Sequence, residues 1–321
     1  MNSALTSLGI YVPERVVDNY YYEKIVETSD EWITTRTGIK ERRFSGEEES
    51  TTDLCVKAAK NMAIESNVLL KNVDFVIVAT STSEHTIPSI ASQVMYQLQI
   101  ENAGSLDISA ACAGFVYGII VAHGLIHSGA HKKILVIAAD ALSQVTDFTD
   151  RTTCILFGDG AGAALIEASE EKRIFKTVSG TLGENGKDLY LSQSAKKLNG
   201  VEIEPNNKIH QNGRVVFKWA VQSIPEYVRQ LLEINNLCMK DIDWFIPHSA
   251  NLRIIESICK NLDYPLEKTL ESIVHFGNTS AATIPIAFDK GLNEGKIKKG
   301  DLILLIGFGG GLTYAGAIIK W

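Results

Sequence analysis

GSLDISAACAGFVYGIIVAHGLIH, residues 104–127, is the stretch whose reading decides the fold. Ser105–Ser109 is short, with Leu106 and Ile108 on either side of Asp107, and predicts a buried strand. A cluster of small residues follows, Ala110, Ala111, Cys112, Ala113 and Gly114. Phe115, Val116, Ile119, Ile120, Ala122 and Leu125 then fill a helix that is apolar almost all round, which predicts a central helix. Cys112 therefore falls where a strand ends and a buried helix begins. A helix N-terminus offers unpaired N–H groups and the positive end of the helix dipole. Both favour a thiolate, and the small neighbours leave room for a substrate beside the sulfur. A buried structural cysteine is the competing reading, and the rest of the chain decides between them.

Working outward, composition narrows the choices. The 321 residues are 45% hydrophobic and 21% charged with a net charge of −7, the profile of an ordered globular protein. A bulk nucleic-acid binder would be basic, so none is expected. The five cysteines (Cys55, Cys112, Cys154, Cys238, Cys259) are odd in number and lack CxxC spacing. No zinc site or disulfide framework is implied, and a reducing cytoplasm fits. The N-terminus has neither a basic region nor a long apolar core, and no run of 18 apolar residues occurs. Neither a signal peptide nor a membrane insertion is expected.

Taken in order, Ala4–Tyr11 reads as a strand, Thr28-Ser29-Asp30 caps a short helix with Glu31, Trp32, Ile33 and Arg36, and Leu54–Ser66 is an amphipathic helix. Val73–Thr80 and Lys133–Ala139 are apolar strands; Thr153–Phe157 and Ala161–Ile166 read as a hairpin around Gly158-Asp159-Gly160. Strands alternating with helices predict an α/β protein with a largely parallel, buried sheet. The second half repeats this order. A long helix, Val215–Ile234, leads to IDWFI (residues 242–246), which matches VDFVI at 73–77. A strand near Val274, the turn Gly277–Ala281, a helix Ala282–Leu292 and a strand Asp301–Ile306 follow at matching intervals. The chain thus reads as two similar α/β halves, 1–170 and 171–321. Glu167–Lys187 and Gln193–Gln211 are polar and irregular, and are expected to run over the surface or a site mouth.

Duplication brings equivalent strand–helix turns together between the halves. One turn carries Cys112, its counterpart carries Asn278 in HFGNTSAA, a third carries His248 in IPHSANLR, and a fourth is GFGGG, Gly307–Gly311. A thiol, an imidazole, an amide and a glycine run suit acyl transfer: a nucleophile, two hydrogen-bonding groups for developing negative charge, and N–H groups for an oxyanion hole. The other histidines, His85, His123, His127, His131, His210 and His275, read as structural or surface groups.

SAACAG, IPHSANLR, FGNTSAA and GFGGG resemble the active-site motifs of the thiolase superfamily. With TSDEWITTRTGI (28–39), DFTDRTT (147–153) and FGDGAGA (157–163), the chain resembles β-ketoacyl-acyl-carrier-protein synthase III over nearly its whole length. The resemblance implies a thiolase-like fold with layered α/β/α/β/α architecture. It implies that Cys112 takes the acyl group of an acyl-CoA primer, while His248 and Asn278 hold the thioester carbonyl of malonyl-acyl carrier protein during decarboxylation. It further implies an oxyanion hole from the N–H groups of Cys112 and Gly310. Trp32 and Arg151 would sandwich the CoA adenine, with Arg36, Gly213, Phe217 and Asn251 along the CoA channel. Leu142, Phe157 and Phe308 match acyl-pocket positions, and Ile87 matches a residue that reaches into the partner's pocket, implying a homodimer. CoA thioesters are substrates, and no cofactor or metal is implied. A basic patch of Lys218, Arg253 and Lys260 is expected to dock the acidic carrier protein.

Two positions depart from the pattern. Ser249 stands where many relatives have Gln, and Ile87 replaces an aromatic found in some of them, which leaves room for primers longer than acetyl, including branched ones. Three other functions compete. A thiolase-fold condensing enzyme of specialised metabolism would join other acyl-CoA pairs. A dinucleotide-binding oxidoreductase is suggested by Gly158–Gly162, but no βαβ opening follows. A catalytically dead scaffold conflicts with the intact triad.

Overall fold

A computed structural model describes all of Met1–Trp321. Its first sheet has five strands: β1 (Asn2–Tyr11), β2 (Phe75–Ala79), β3 (Gly104–Ile108), β4 (Lys133–Ala141) and β5 (Asp159–Ser169), in the order β1-β5-β4-β2-β3. The pairs β4–β2 and β2–β3 are parallel, while β5 runs antiparallel to both β1 and β4. The second sheet has four: β6 (Val178–Thr181), β7 (Trp244–Pro247), β8 (Leu302–Gly309) and β9 (Thr313–Lys320), ordered β7-β8-β9-β6. Read from the opposite end, β6-β9-β8-β7 repeats β1-β5-β4-β2 with the same pairing senses. A fifth strand is reduced to one parallel bridge, Phe245 with Thr269, where β2 has β3.

Seven helices of two or more turns cover these sheets: α1 (Asp30–Thr37), α2 (Thr51–Glu65), α3 (Ile90–Gln97), α4 (Gly114–His127), α5 (Gly213–Glu233), α6 (Leu252–Leu262) and α7 (Thr283–Asn293). Helices α4 and α7 lie between the sheets. Phe115, Val116, Ile119, Ala122 and Ile126 of α4 share one core cluster with Ile284, Ala287 and Phe288 of α7 and with strand residues of both sheets. That sandwiched position is why α4 is apolar all round. Helices α2 and α3 cover the outer face of the first sheet, and α5 and α6 that of the second. Their apolar stripes are one-sided because the other face meets water. The result is five layers, α/β/α/β/α.

Several sequence expectations are corrected. The two main sheets are not largely parallel: β1–β5, β5–β4, β8–β9 and β9–β6 are antiparallel, and only β4–β2, β2–β3 and β7–β8 are parallel. The strand expected near Val274 is a helical turn, Ile273–Phe276, whose Val274 N–H is taken by the Glu271 carboxylate at 3.0 Å. Thr153–Phe157 is not a strand. The Asp150 carboxylate accepts the Thr152 N–H at 2.9 Å and winds residues 151–156 into turns. The Gly158–Gly162 run lies at the start of antiparallel β5, and the Asp159 carboxylate is tied up by Ser45 and Ser143, which leaves no dinucleotide-binding turn. Ser105–Ser109, read as buried, forms a half-buried edge strand, and its Asp107 caps α3 through the N–H groups of Ile90 and Ala91. Glu167–Lys187 is not a surface excursion throughout, because it carries the end of β5 and the edge strand β6.

No helix is long and apolar enough to cross a membrane.

Candidate active site

A cavity of about 590 Å³ opens between the halves of the molecule. Cys112, His248, Asn278, Phe308 and Gly310 line its floor, and Trp32, Arg36, Gly213, Phe217, Asn251 and Arg253 also face it. Four chain turns converge there because the two sheets face each other across α4 and α7.

Cys112 sits in a single 3₁₀ turn, Ala111–Ala113, just before α4. Ala111 holds a φ of 45°, and Ser280, in the equivalent turn before α7, a φ of 52°. A side-chain-bearing residue in this region costs about 1–3 kcal/mol, so both turns are held by their surroundings. Strand β8 presses against the cysteine. A Cβ on Gly309 would stand 2.9 Å from the Cys112 amide nitrogen, and one on Gly307 2.8 Å from Ala113 Cα. GFGGG is therefore glycine-rich for close approach, and it is not a loop: Gly307–Gly309 continue β8, and the turn begins at Gly310.

The thiol departs from expectation. Burial pushes Cys112 up to about 12, and the negative charge of Asp140 acts in the same direction, against a lowering hydrogen bond from the Ser280 hydroxyl. Asp140 is fully buried and accepts from Ser81 N–H at 2.7 Å and from the Thr80 and Thr82 hydroxyls at 3.1 Å each. Burial thus favours a resting thiol at Cys112. Iodoacetamide labelling of Cys112, read by peptide mapping, should rise about tenfold per pH unit from pH 7 to pH 10. A plateau below pH 8 would show that the helix dipole wins.

His248 follows β7 and is 1% exposed. Its Nδ1 lies 2.7 Å from the Thr283 hydroxyl, and its ring meets Phe308 edge-on at 5.2 Å. Burial lowers its pKa to about 3, so it is neutral at working pH. Asn278 is 5% exposed, and its Oδ1 accepts the Ser280 N–H at 2.9 Å. That bond fixes the amide so that its NH₂ end is left to donate. Its backbone is anchored across the seam: Asn278 N–H donates to Leu156 O at 2.9 Å, and Gly158 N–H to Asn278 O at 3.1 Å. Buried Arg42 holds the same loop through Ile155 O at 2.6 Å. Ser249 accepts the Ser272 N–H at 3.1 Å, a wholly internal role.

At the mouth, the guanidinium of Arg151 lies 5.2 Å from the Trp32 ring centroid and that of Arg36 5.9 Å away. Asn251 faces the cavity, but its amide caps α6 at Arg253 N and donates to Arg36 O at 3.1 Å. Leu142 and Phe157 are 2% exposed and line the inner end. Ile87 is 86% exposed and does not line the cavity of its own chain. Lys218 and Lys260 are exposed and lie outside the lining; Arg253 and Lys260 share α6. The structure adds Ser280, Thr283, Arg214 and the apolar residues Leu189, Leu191 and Ile209. The last three come from the short pair Leu189–Leu191 and Ile209–Gln211, within or beside the polar excursions expected at a site mouth. Alternating apolar residues there were the available signal.

Two α/β units of matching strand order, with a thiol, an imidazole and a carboxamide around one cavity, fit the class of condensing acyltransferases. Comparison with known proteins narrows this. Residues 106–183 match the family profile "3-Oxoacyl-[acyl-carrier-protein (ACP)] synthase III", and residues 232–321 its C-terminal counterpart. The chain is 50% identical to β-ketoacyl-[acyl-carrier-protein] synthase III 2 of Bacillus subtilis (strain 168) over 318 residues, covering 99% of this chain and 98% of the relative. Its fold is similar to a synthase III from Thermus thermophilus, with a TM-score of 0.96 at 40% identity and 99% coverage of both chains. It is also similar to the priming β-ketosynthase of the R1128 polyketide pathway, with a TM-score of 0.93 at 33% identity, covering 99% of this chain and 96% of that one. The chain belongs to the 3-oxoacyl-[acyl-carrier-protein] synthase III family. It is an acyltransferase with a thiolase-like fold, and the family's reaction is the decarboxylating condensation that initiates fatty acid synthesis.

Proposed function

We propose that this chain transfers an acyl group from acyl-CoA to Cys112 and condenses it with malonyl-acyl carrier protein, giving 3-oxoacyl-acyl carrier protein. The observation that carries this reading is the convergence of Cys112, His248 and Asn278 on one cavity that opens past Trp32. In it, CoA enters along Trp32, Arg36, Arg151, Gly213, Phe217 and Asn251. Cys112 attacks the thioester, and N–H groups of Cys112 and Gly310 hold the oxyanion. His248 and Asn278 then donate to the malonyl thioester carbonyl, carbon dioxide leaves, and the enolate attacks the acyl-cysteine. The fixed amide of Asn278 supports its role as a donor. The acyl chain occupies the end lined by Leu142, Phe157 and Phe308. No cofactor or metal takes part in this scheme.

The working unit in this reading is a cytoplasmic homodimer. Supporting it are the unpaired edge of β3 and the projecting Ile87, which would enter a partner's acyl pocket. An isoleucine there favours primers longer than acetyl, including branched ones. The division of the chain into halves at 1–170 and 171–321 belongs to the same proposal.

Purified enzyme given acetyl-, isobutyryl- and longer acyl-CoA in competition, with malonyl-acyl carrier protein, tests the reaction and the primer together. Release of carbon dioxide with formation of 3-oxoacyl-carrier protein supports the reading. Condensation of two acyl-CoA molecules without a carrier would support specialised metabolism instead. Carrier docking has its own test. Arg253→Glu, on the exposed side of α6 with Lys260, should weaken use of malonyl-acyl carrier protein about tenfold, in a salt-sensitive way. Equal loss with acyl-CoA would assign Arg253 to the CoA mouth.

A further inference from the structure

The hydrogen bonds behind His248 decide which of its ring nitrogens carries the proton. Thr283 is the first residue of α7 and is fully buried. Its hydroxyl lies 2.7 Å from His248 Nδ1 and donates to the Ser280 carbonyl at 3.0 Å. A carbonyl oxygen can only accept, and a hydroxyl has one proton to give. With that proton committed to Ser280 O, the Thr283 oxygen is an acceptor toward the ring, so Nδ1 is the protonated nitrogen. The opposite arrangement sets two oxygens 3.0 Å apart with no proton between them.

We propose that Thr283 is a positioning residue that locks His248 as the Nδ1–H tautomer and so presents a bare Nε2 to the cavity as the proton acceptor for Cys112. This deepens the function proposed above and rests on it for the identity of the reaction. A resting thiol needs a base, and His248 is the imidazole that opens onto the same cavity as Cys112.

The protons balance. In acylation, the Cys112 S–H bond breaks and its proton passes to Nε2 while sulfur bonds to the acyl carbon. The bond from that carbon to the CoA sulfur breaks, and the CoA thiolate takes the proton back from Nε2. In condensation, carbon dioxide leaves, the new carbon–carbon bond forms and Cys112 departs as a thiolate. The overall reaction consumes one proton from water. It passes through Nε2 only as negative charge develops on the malonyl carbonyl, and ends on the Cys112 sulfur.

Thr283→Val keeps the shape but removes the acceptor, leaving an Nδ1–H without a partner. The proton should then move to Nε2, where cavity water accepts it. Nitrogen NMR of enzyme labelled with ¹⁵N-histidine, with the His248 signal assigned by its loss in His248→Ala, reads this directly. Expected are a proton on Nδ1 in the parent and on Nε2 in Thr283→Val. Acylation of Cys112 by acyl-CoA should fall about 10²-fold in Thr283→Val, the scale of a lost general base, and return in Thr283→Ser. A proton on Nε2 in the parent enzyme overturns the proposal, as does acylation unchanged in Thr283→Val. A parent enzyme protonated on Nδ1 but never acylated would overturn the functional reading and leave the Thr283 lock standing.

Discussion

Cys112→Ala is expected to abolish acyl transfer, with no label retained after incubation with radiolabelled acyl-CoA. No other thiol can substitute. Cys55, Cys154 and Cys259 are buried away from the cavity, and Cys238 is exposed with its sulfur 3.1 Å from the Asp241 carboxylate. Cys112→Ser should also lose transfer, because a hydroxyl is a far weaker nucleophile without strong activation. Space is not the obstacle, since the pocket that accepts sulfur accepts oxygen. Label mapped to any of the other four cysteines would sink the assignment.

His248→Ala and Asn278→Ala should each cost about 10²–10³ in the malonyl half-reaction, the usual effect of removing one donor from developing negative charge. The two should part company in acylation. Asn278→Ala should acylate nearly normally, because its amide, held through Oδ1 by the Ser280 N–H, takes no proton. His248→Ala should also acylate slowly, since it removes the base along with the donor. Single-turnover acylation and malonyl decarboxylation, measured separately on each variant, check this. Loss of acylation in Asn278→Ala with decarboxylation intact would reverse the assignment.

Much of this was legible in the sequence. The run GSLDISAACAGFVYGIIVAHGLIH is apolar on every side of a helix, which only burial between two layers tolerates, and α4 lies there. The match of VDFVI with IDWFI follows from two strands doing the same job, as β2 and β7 do. Where the repeat failed, local capping prevailed: Glu271 turned the expected Val274 strand into a helical turn, and Asp150 did the same beside Arg151. A sequence repeat reports shared burial, and side-chain caps act over three or four residues and escape it.

The sequence by itself showed the alternation of strands and helices, the repeated plan and the four turns that carry Cys112, His248, Asn278 and the glycines, because periodicity and small-residue clusters are local. Only the tertiary structure decided their chemical states. The thiol is raised by burial and by Asp140, which lies 28 residues away in the chain on β4. The GFGGG glycines serve a close approach to Cys112 that no local pattern announces. The hydroxyl that meets His248 Nδ1 belongs to Thr283, 35 residues further on. Desolvation and hydrogen-bond direction depend on what lies across the cavity, and a chain gains those neighbours only when it folds.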